Sequence, residues 1–537
     1  MSSLFGIGYS GLSAAQSGMS TASNNIANVN TPGYTRQSLR LEQSAQSGGQ
    51  GGVGVGAVQR NYQQYLSGQL NDARSTASAL DSHLGQLSQI NNLLGDGDAG
   101  LAPLMQQFFA GLQTLAGSPD DAAARESLLG DANSMAAQFQ TFAGYLDDMG
   151  RSVATQMEGA VGQVNNYAEQ IDRLNEQITL ARGRTGAEPN TLLDKRDQLV
   201  SELGQLINID VAIQDGNTYN ITAAGQPLVD ATGAHSLALV RSAGDPTRRV
   251  IAYEAPGGAR RELDASQISG GSLGGLVAFR DGSLESATLS LDQLAHDLAD
   301  KINDVHGQGT DLAGNPGTAL FETARPISLD NARNTGTATL QVAFSDDGMA
   351  DIAASNYRVA YENGQYSVTR VSDGQRTRFG SDSFSIGGVD IAVEGTPNEG
   401  DSFLIKPLAG AAAALNVSIT DPAQIAAAQG GGSGDNRNAQ ALADLQNAKT
   451  VEGNRSFNSQ YAQLVSDIGN RTRTLQVNGE AQQTLTGELE NAQQSISGVN
   501  LDEERVNLLY YQQMYQANAK VIETAASLFD TLLGIRA

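Results

Sequence analysis

"GIGYSGLSAAQSGMSTASNNIANVNTPGY", Gly6 to Tyr34, contains no charged residue and follows a helical period. Phe5, Gly8, Leu12, Ala15, Met19, Ala22, Ile26 and Val29 recur alternately three and four residues apart, the seam of a coiled coil. Small residues make up much of that seam, so it is narrow and lets a neighbour approach closely. The remaining positions are Ser, Gly, Gln and Asn, poor helix formers, so the helix is marginal in water by itself. Thr31-Pro32-Gly33-Tyr34 reads as a type II turn, with Pro second and Gly third, where φ must be positive. The stretch predicts a weak helix with one sticky stripe and a sharp stop.

The other end of the chain has the same character. Asn500-x-x-Glu503 reads as a helix start with a capping-box pair, and Asp502, Glu503 and Glu504 suit the positive end of a helix dipole. Tyr510, Met514, Ala517, Val521, Thr524, Leu528 and Leu532 then continue at three-four spacing. Seams at both ends predict that the termini pair into one rod.

Stronger seams lie inside these ends. Leu66, Leu70, Ala73, Ala77, Leu80, Leu84, Leu87, Asn91 and Leu94 form one, with Asn91 as a polar register residue. Leu128, Ala132, Met135, Phe139, Phe142, Leu146, Met149 and Val153 form a second, continued after a stutter by Met157, Ala160, Val164, Tyr167, Ile171, Leu174 and Ile178. A helix from Asp120 to Arg182 would be about 90–95 Å long. Tyr461, Leu464, Ile468, Leu475, Leu485, Leu489, Ala492 and Ile496 make a third seam, interrupted by Arg471, Asn478 and Gln482.

Period-two alternation replaces this pattern from about Ile209 to Tyr253 and from Thr337 to Ile405, with a helical return from Gly275 to His306 between them. "YRVAYENGQYSVTRV" is the clearest hairpin, turning at Asn363-Gly364, and Gly430 to Gly434 reads as a flexible joint back to helix. The fold class is therefore α+β and multidomain: a terminal coiled coil and long-helix bundle with β-rich domains inserted mid-chain. The expected divisions are 1–45 with 500–537 as the terminal coiled coil and 46–208 with 266–320 and 430–499 as the bundle. A small β segment takes 209–265 and an outer β-rich domain 321–429.

Composition narrows the function. At 537 residues with a net charge of −25, the chain disfavours nucleic acid and anionic lipid as partners. Cysteine is absent, which removes disulfides, thiolate metal sites and Cys nucleophiles. No apolar run reaches the roughly 18 residues of a membrane span. No Lys or Arg precedes Arg36, so the N-terminal stretch does not read as a secretory signal. Gly6-x-Gly8-x-x-Gly11 has dinucleotide-loop spacing but lacks the preceding strand and the later acidic residue, and "GVGVG" (Gly52 to Gly56) lacks the Lys of a phosphate loop.

Of the four histidines, His83 and His296 are expected on solvent or helix flanks, His235 in a β loop and His306 at a helix end; none has a second His at ligand spacing. "GDGDAG" (Gly95 to Gly100) and "DLAGNPG" (Asp311 to Gly317) read as turns and not as calcium loops. No Gly-x-Ser-x-Gly elbow occurs. No catalytic, cofactor-binding or metal residue is expected, and the chain reads as no enzyme.

"SNNIANVNTPGYTRQ", Ser23 to Gln37, resembles the N-terminal signature of the bacterial flagellar axial proteins, the rod, hook and hook-associated proteins; Asn24, Asn25, Asn28, Asn30, Pro32, Gly33 and Tyr34 carry it. "GVNLDEERVNLLYYQQMYQANAKVIETAASLFDTLL" resembles that family's C-terminal end. "GYTRQ" (Gly33 to Gln37), "NTLLDKRDQLVSELGQLINIDV" (Asn190 to Val211) and the segment from Gly270 resemble the hook-associated members at the hook–filament junction, with Lys195 a departure on an expected exposed face. The β block after Phe321 carries no such likeness.

The resemblance implies a structural adaptor joining hook to filament. Terminal residues Leu12, Ala15, Met19, Ala22, Ile26, Val29, Tyr510, Met514, Ala517, Val521, Leu528 and Leu532 would then serve subunit assembly. Implied partners are further copies in a ring-like homo-oligomer, hook protein, the next hook-associated protein, and a cytoplasmic export chaperone on the C-terminal region. Neither nucleic acid nor membrane insertion is implied. Export would use the flagellar type III route without a cleaved signal, ending in the extracellular flagellum. Another axial protein (hook or rod) or a secreted adhesin is the alternative.

Overall fold

The computed structural model describes residues 2–43, 51–95, 100–214, 216–255, 257–345, 352–430, 432, 434–449 and 455–536. The loop read at Gly95 to Gly100 and the joint at Gly430 to Gly434 lie partly outside these, and the side chain of Leu532 lies outside them too. The helices are α1 (Ser2–Ala27), α2 (Gln64–Gly95), α3 (Leu101–Gly117), α4 (Ala122–Thr185), α5 (Asn190–Leu206), α6 (Gly271–Ala278), α7 (Glu285–Gly307), the short α8 (Ala411–Ala414), α9 (Arg437–Asp444), α10 (Phe457–Ser497) and α11 (Leu501–Arg536).

The 64-residue α4 is the spine, about 96 Å long at the usual rise. Asp121 caps its first turn, and Gly186, at φ 68°, ends it. Its seam from Leu128 to Ile178 is buried throughout, except for the half-buried Tyr167. Against it pack α3, whose Phe109 stacks on Phe457 of α10, and α5. A Cβ on Gly275 would overlap the carbonyl of Ala79, so α6 lies backbone to backbone on α2. A π-helical turn, Phe279–Leu284, joins α6 to α7. On α10 only Tyr461, Leu464 and Ile468 of the seam are buried; Leu485 and Ala492 are exposed, because beyond Ile468 the helix leans chiefly on α2.

The β segment forms two antiparallel sheets, of four strands within 210–234 and three within 236–262. Ile221, Val229, Leu237 and Ile251 join the bundle's own core, so this segment has no separate interior. The second core belongs to a β sandwich. One sheet has five strands in the order Ile327–Asp330, Ser402–Lys406, Tyr357–Glu362, Gln365–Arg370, Arg376–Phe379. The other has three, Thr339–Phe344, Val389–Glu394 and Ser383–Ile386. Tyr357, Val359, Val368, Phe403 and Ile405 face Leu340, Phe384, Val389 and Ile391 between them. Asn363 and Gly364 turn the hairpin with φ of 54° and 74°, the left-handed pair this tight loop requires.

That core takes residues 338–405 only. Phe321, Leu415, Val417, Ile419 and Ile425 line the bundle core instead, so the return segment inside 321–429 packs with the helices. A hairpin of Gln37–Gln43 with Val53–Arg60 straddles the expected boundary at 45/46. His296 differs from the flank position expected of it: it is 2% exposed, packed 4.6 Å from the Phe344 ring. The apolar end of that strand closes over α7, which periodicity along α7 could not reveal.

Candidate functional site

The chain ends meet as α1 against α11. Among the described side chains of α1, Gly8, Gly11, Ala14, Ala15, Gly18, Ala22 and Asn25 are buried. An added Cβ at Gly8 would lie 2.7 Å from Ile522 Cγ1, while at Gly11 and Gly18 it would overlap Asn518 and the ring of Tyr511. Glycine here is a spatial requirement. The partner face of α11 therefore runs through Glu504, Tyr511, Met514, Asn518, Ile522 and Ala525.

This pairing face is rotated from the seam read in sequence. Ala15 and Ala22 are on it, whereas Leu12, Met19, Ile26 and Val29 are half-buried. On α11, Met514 is half-buried, but Tyr510 at 57%, Val521 at 38% and Leu528 at 48% are exposed, as is Ala517. These four lie about 100° round the helix from the pairing face, one residue step. α1 thus spends its small and polar stripe on its partner, while α11 meets it with Tyr511, Met514 and Ile522 as well as Glu504, Asn518 and Ala525. A second apolar stripe on each helix stays wholly or partly uncovered, and Leu4, Ile7, Val506, Leu509 and Phe529 are exposed too.

A polar node holds this pair to the bundle. Asn25, 0% exposed, has its amide fully used. Its Nδ2 donates to Gln37 O at 2.8 Å and Glu504 Oε2 at 3.0 Å, and its Oδ1 accepts from Tyr34 OH at 2.7 Å and Gln37 N at 3.0 Å. Arg36 grips α11, with Nε donating to Glu504 at 2.8 Å and a terminal nitrogen to Glu503 at 2.7 Å. Thr35 donates through its N–H and hydroxyl to Asp194 of α5. Arg60 bridges Asp194 and Asp197, both at 2.8 Å. Burial alone would lower the Arg60 guanidinium, but Asp197 and Asp194 outweigh it and push it up. Tyr34 is pushed up to about 12 by burial, with Asp194 and Glu504 adding.

The turn before this node is the one expected. Gly33 has φ 76° and Tyr34 N donates to Thr31 O at 3.2 Å, while Gly33 sits close over Gln198 of α5. Asn28 donates to the backbone and side-chain oxygens of Asn24, both at 2.9 Å, closing the end of α1; Asn30 and Pro32 are exposed. Asn500 Oδ1 caps α11 by accepting from Asp502 N at 3.0 Å, but Glu503 turns to Arg36. A cleft of about 1280 Å³ opens beside the node, between α2, α5 and the end of α10.

Sequence reasoning missed Thr35, Arg36, Arg60, Asp194, Asp197 and the pairing role of Glu504. The available signal was Arg36, the first cation of the chain, lying within a quoted motif. No group of side chains that could hold a metal ion occurs among the described residues, and no described helix is long and apolar enough to cross a membrane. Buried His306 is a structural tie, with Nδ1 2.6 Å from Thr318 O and Nε2 accepting from Ala426 N at 2.9 Å.

Comparison with known proteins follows the same map. Residues 87–321 match the family described as flagellar hook-associated protein FlgK helical domain, and 329–407 the hook-associated protein 1, D2-like domain. Residues 6–35 match the flagella basal body rod protein family and 492–535 the flagellar basal body rod FlgEFG protein C-terminal family. Flagellar hook-associated protein 1 of Escherichia coli (strain K12) is 42% identical over 549 residues, covering 100% of both chains. The protein of that name from Bacillus subtilis (strain 168) is 26% identical, over 97% of this chain and 96% of its own. The solved flagellar hook junction protein FlgK of Burkholderia pseudomallei superposes with a TM-score of 0.75 at 28% identity, covering 80% of this chain and 100% of its own.

Proposed function

Because the chain belongs to the flagellar hook-associated protein 1 family and is a structural component of the flagellum at the hook–filament junction, we propose that its terminal helix pair is the surface through which subunits assemble. One observation carries this reading. Within one subunit α1 gives only glycine, alanine and Asn25 to the buried pairing face, met by Tyr511, Asn518 and Ile522 of α11, while Leu12, Met19, Ile26, Val521 and Leu528 stay half or wholly open. Large apolar stripes on a marginal helix pair find their burial against neighbouring copies.

Repetition around the axis then gives a ring-like homo-oligomer, with the terminal pair inside, the bundle between and the sandwich outermost. The lower side meets hook protein and the upper side the next hook-associated protein. Before export by the type III route, a cytoplasmic chaperone would cover the exposed C-terminal stripe. The family's structural character supports a chain that acts by fit and not by catalysis.

The test adds purified protein to isolated hooks without filaments, then the downstream hook-associated protein and flagellin, imaged by electron microscopy. A distal cap that permits filament growth is expected. Val521→Asp and Ile26→Asp should abolish the cap while the bundle keeps its melting temperature. Capping by either variant at wild-type levels would refute the proposed surface.

A further inference from the structure

We propose that neighbouring copies of this chain also contact one another through the β sandwich, the basic open face of one against the acidic open face of the next. This rests on the assembly reading above and names a second, electrostatic interface for it.

The two faces follow from strand register. Arg358 pairs across to Thr369, which pairs to Arg376, and Ala360 pairs across to Ser367, which pairs to Arg378. Cross-strand partners share a face, so all six residues stand on the side of the five-stranded sheet turned away from the core. The three arginines are exposed and make no ion pair among the described residues. One strand lies between those of Arg358 and Arg376, so two inter-strand spacings, about 10 Å, part them, and Arg376 lies about 7 Å from Arg378. Such a cluster is unexpected in a chain of 33 basic and 58 acidic residues.

The nearby carboxylates leave the cluster positive. Asp264 feels Arg358 but spends Oδ1 on the N–H and hydroxyl of Ser266, at 2.9 and 2.8 Å. Glu362, on the same face, has no ion pair with the three. Lys406, further along the face, is already taken by Asp245 at 2.7 Å.

The opposite face is its complement. Asp390 and Glu394 project from the central strand of the three-stranded sheet, and the strands Thr339–Phe344, Ser383–Ile386 and Val389–Glu394 contain no Lys or Arg. Hydroxyls of Ser345 and Ser385 donate to Asp390 and hold its carboxyl below the ordinary range. Its charge is fixed in any neutral medium. At physiological salt the Debye length is about 8 Å, so remote carboxylates are screened while the facing patches still attract.

Basic against acidic is a heterologous contact: each copy offers a different face to each neighbour. Repeated rotation closes it into a ring or continues it as a helix. A two-fold contact would instead oppose like charges, which costs several kcal/mol. The occupant that fits both faces is a second copy of this chain.

The absence of cysteine allows a clean test. Cells would make full-length chain carrying R378C and E394C together, or either alone, and isolated hook–filament junctions would be oxidised and run on non-reducing gels. Residues 378 and 394 face opposite sides of sheets about 10 Å apart, beyond the reach of an internal disulfide. The double variant should give a ladder of two, three and more chains, and each single variant only monomer. R358E with R376E should cut the ladder at least about ten-fold, and adding D390R to that variant should restore part of it.

Junctions that contain the double variant but yield monomer would overturn the contact and leave the assembly reading intact. Dimers from a single variant would overturn the heterologous geometry. Unmodified chain missing from junctions would overturn the assembly reading itself.

Discussion

Replacing Asn25 by Ala isolates the node that joins the terminal helices to the body. The amide makes four hydrogen bonds, two of them to the backbone of Gln37, itself 8% exposed, and one to Glu504, 2% exposed. Tyr34, half-buried, can recover its lost bond from water. The Gln37 N–H and C=O cannot do so readily, and each buried group left unpaired costs about 1–3 kcal/mol. Glu504 keeps Arg36 at 2.8 Å, so its carboxylate is weakened and not abandoned. The total is about 3–5 kcal/mol, borne by docking of the terminal pair and not by the bundle.

A helix pair this rich in Gly, Ser and Asn has little margin, so the loss should appear as local opening. Amide hydrogen exchange read by mass spectrometry should show residues of α1 and α11 exchanging about 10²–10⁴-fold faster. Protection along α4 and α7, and the main thermal transition, should be unchanged. Unaltered protection in α1 and α11 would refute the energetic role of the node. Loss of protection in α4 would refute the separation of terminal pair from bundle.

Gly18→Val should splay α1 from α11, because the Tyr511 ring occupies the space, with a drop in far-UV helicity and rapid proteolysis at both ends. Gly6→Ala, where nothing lies within 4 Å, should instead be tolerated or stabilise the helix by about 1 kcal/mol. His306 is lowered by burial, with Arg125 opposing its protonation and its bond to Thr318 partly offsetting both. A depressed histidine contributes stability that is complete above its unfolded value, about 6.5, and lost as pH falls through the folded one. Melting temperature should therefore fall on titration from pH 7.5 towards 5, and His306→Gln should flatten that slope; an equal slope in the variant would exclude His306 as its source.

Much of the fold was legible because long periodic segments have one way to bury their apolar residues. The α4 seam, from Leu128 to Ile178, needed no partner to be read: its large side chains recur on one stripe and must face a core. The Thr31-Pro32-Gly33-Tyr34 turn and the Asn363-Gly364 hairpin were legible for a local reason, since only those backbones suit those residues.

The terminal seams were less determinate. Gly8, Ala15 and Ala22 belong to two adjacent stripes, one completed by Leu12, Met19 and Ile26, the other by Gly11, Gly18 and Asn25. Hydrophobicity favours the first, but Tyr511, Asn518 and Ile522 require the close approach that only the second allows. Which stripe pairs inside the subunit, and which is left open, is therefore a property of both helices together.

Tertiary structure likewise decided the node, since Arg36 and Glu504 lie 468 residues apart. It also decided the burial of His296 beneath Phe344 and the opposed charges of the sandwich. Alternation shows that a strand has two faces, whereas cross-strand register, made by distant segments, decides which side chains share one.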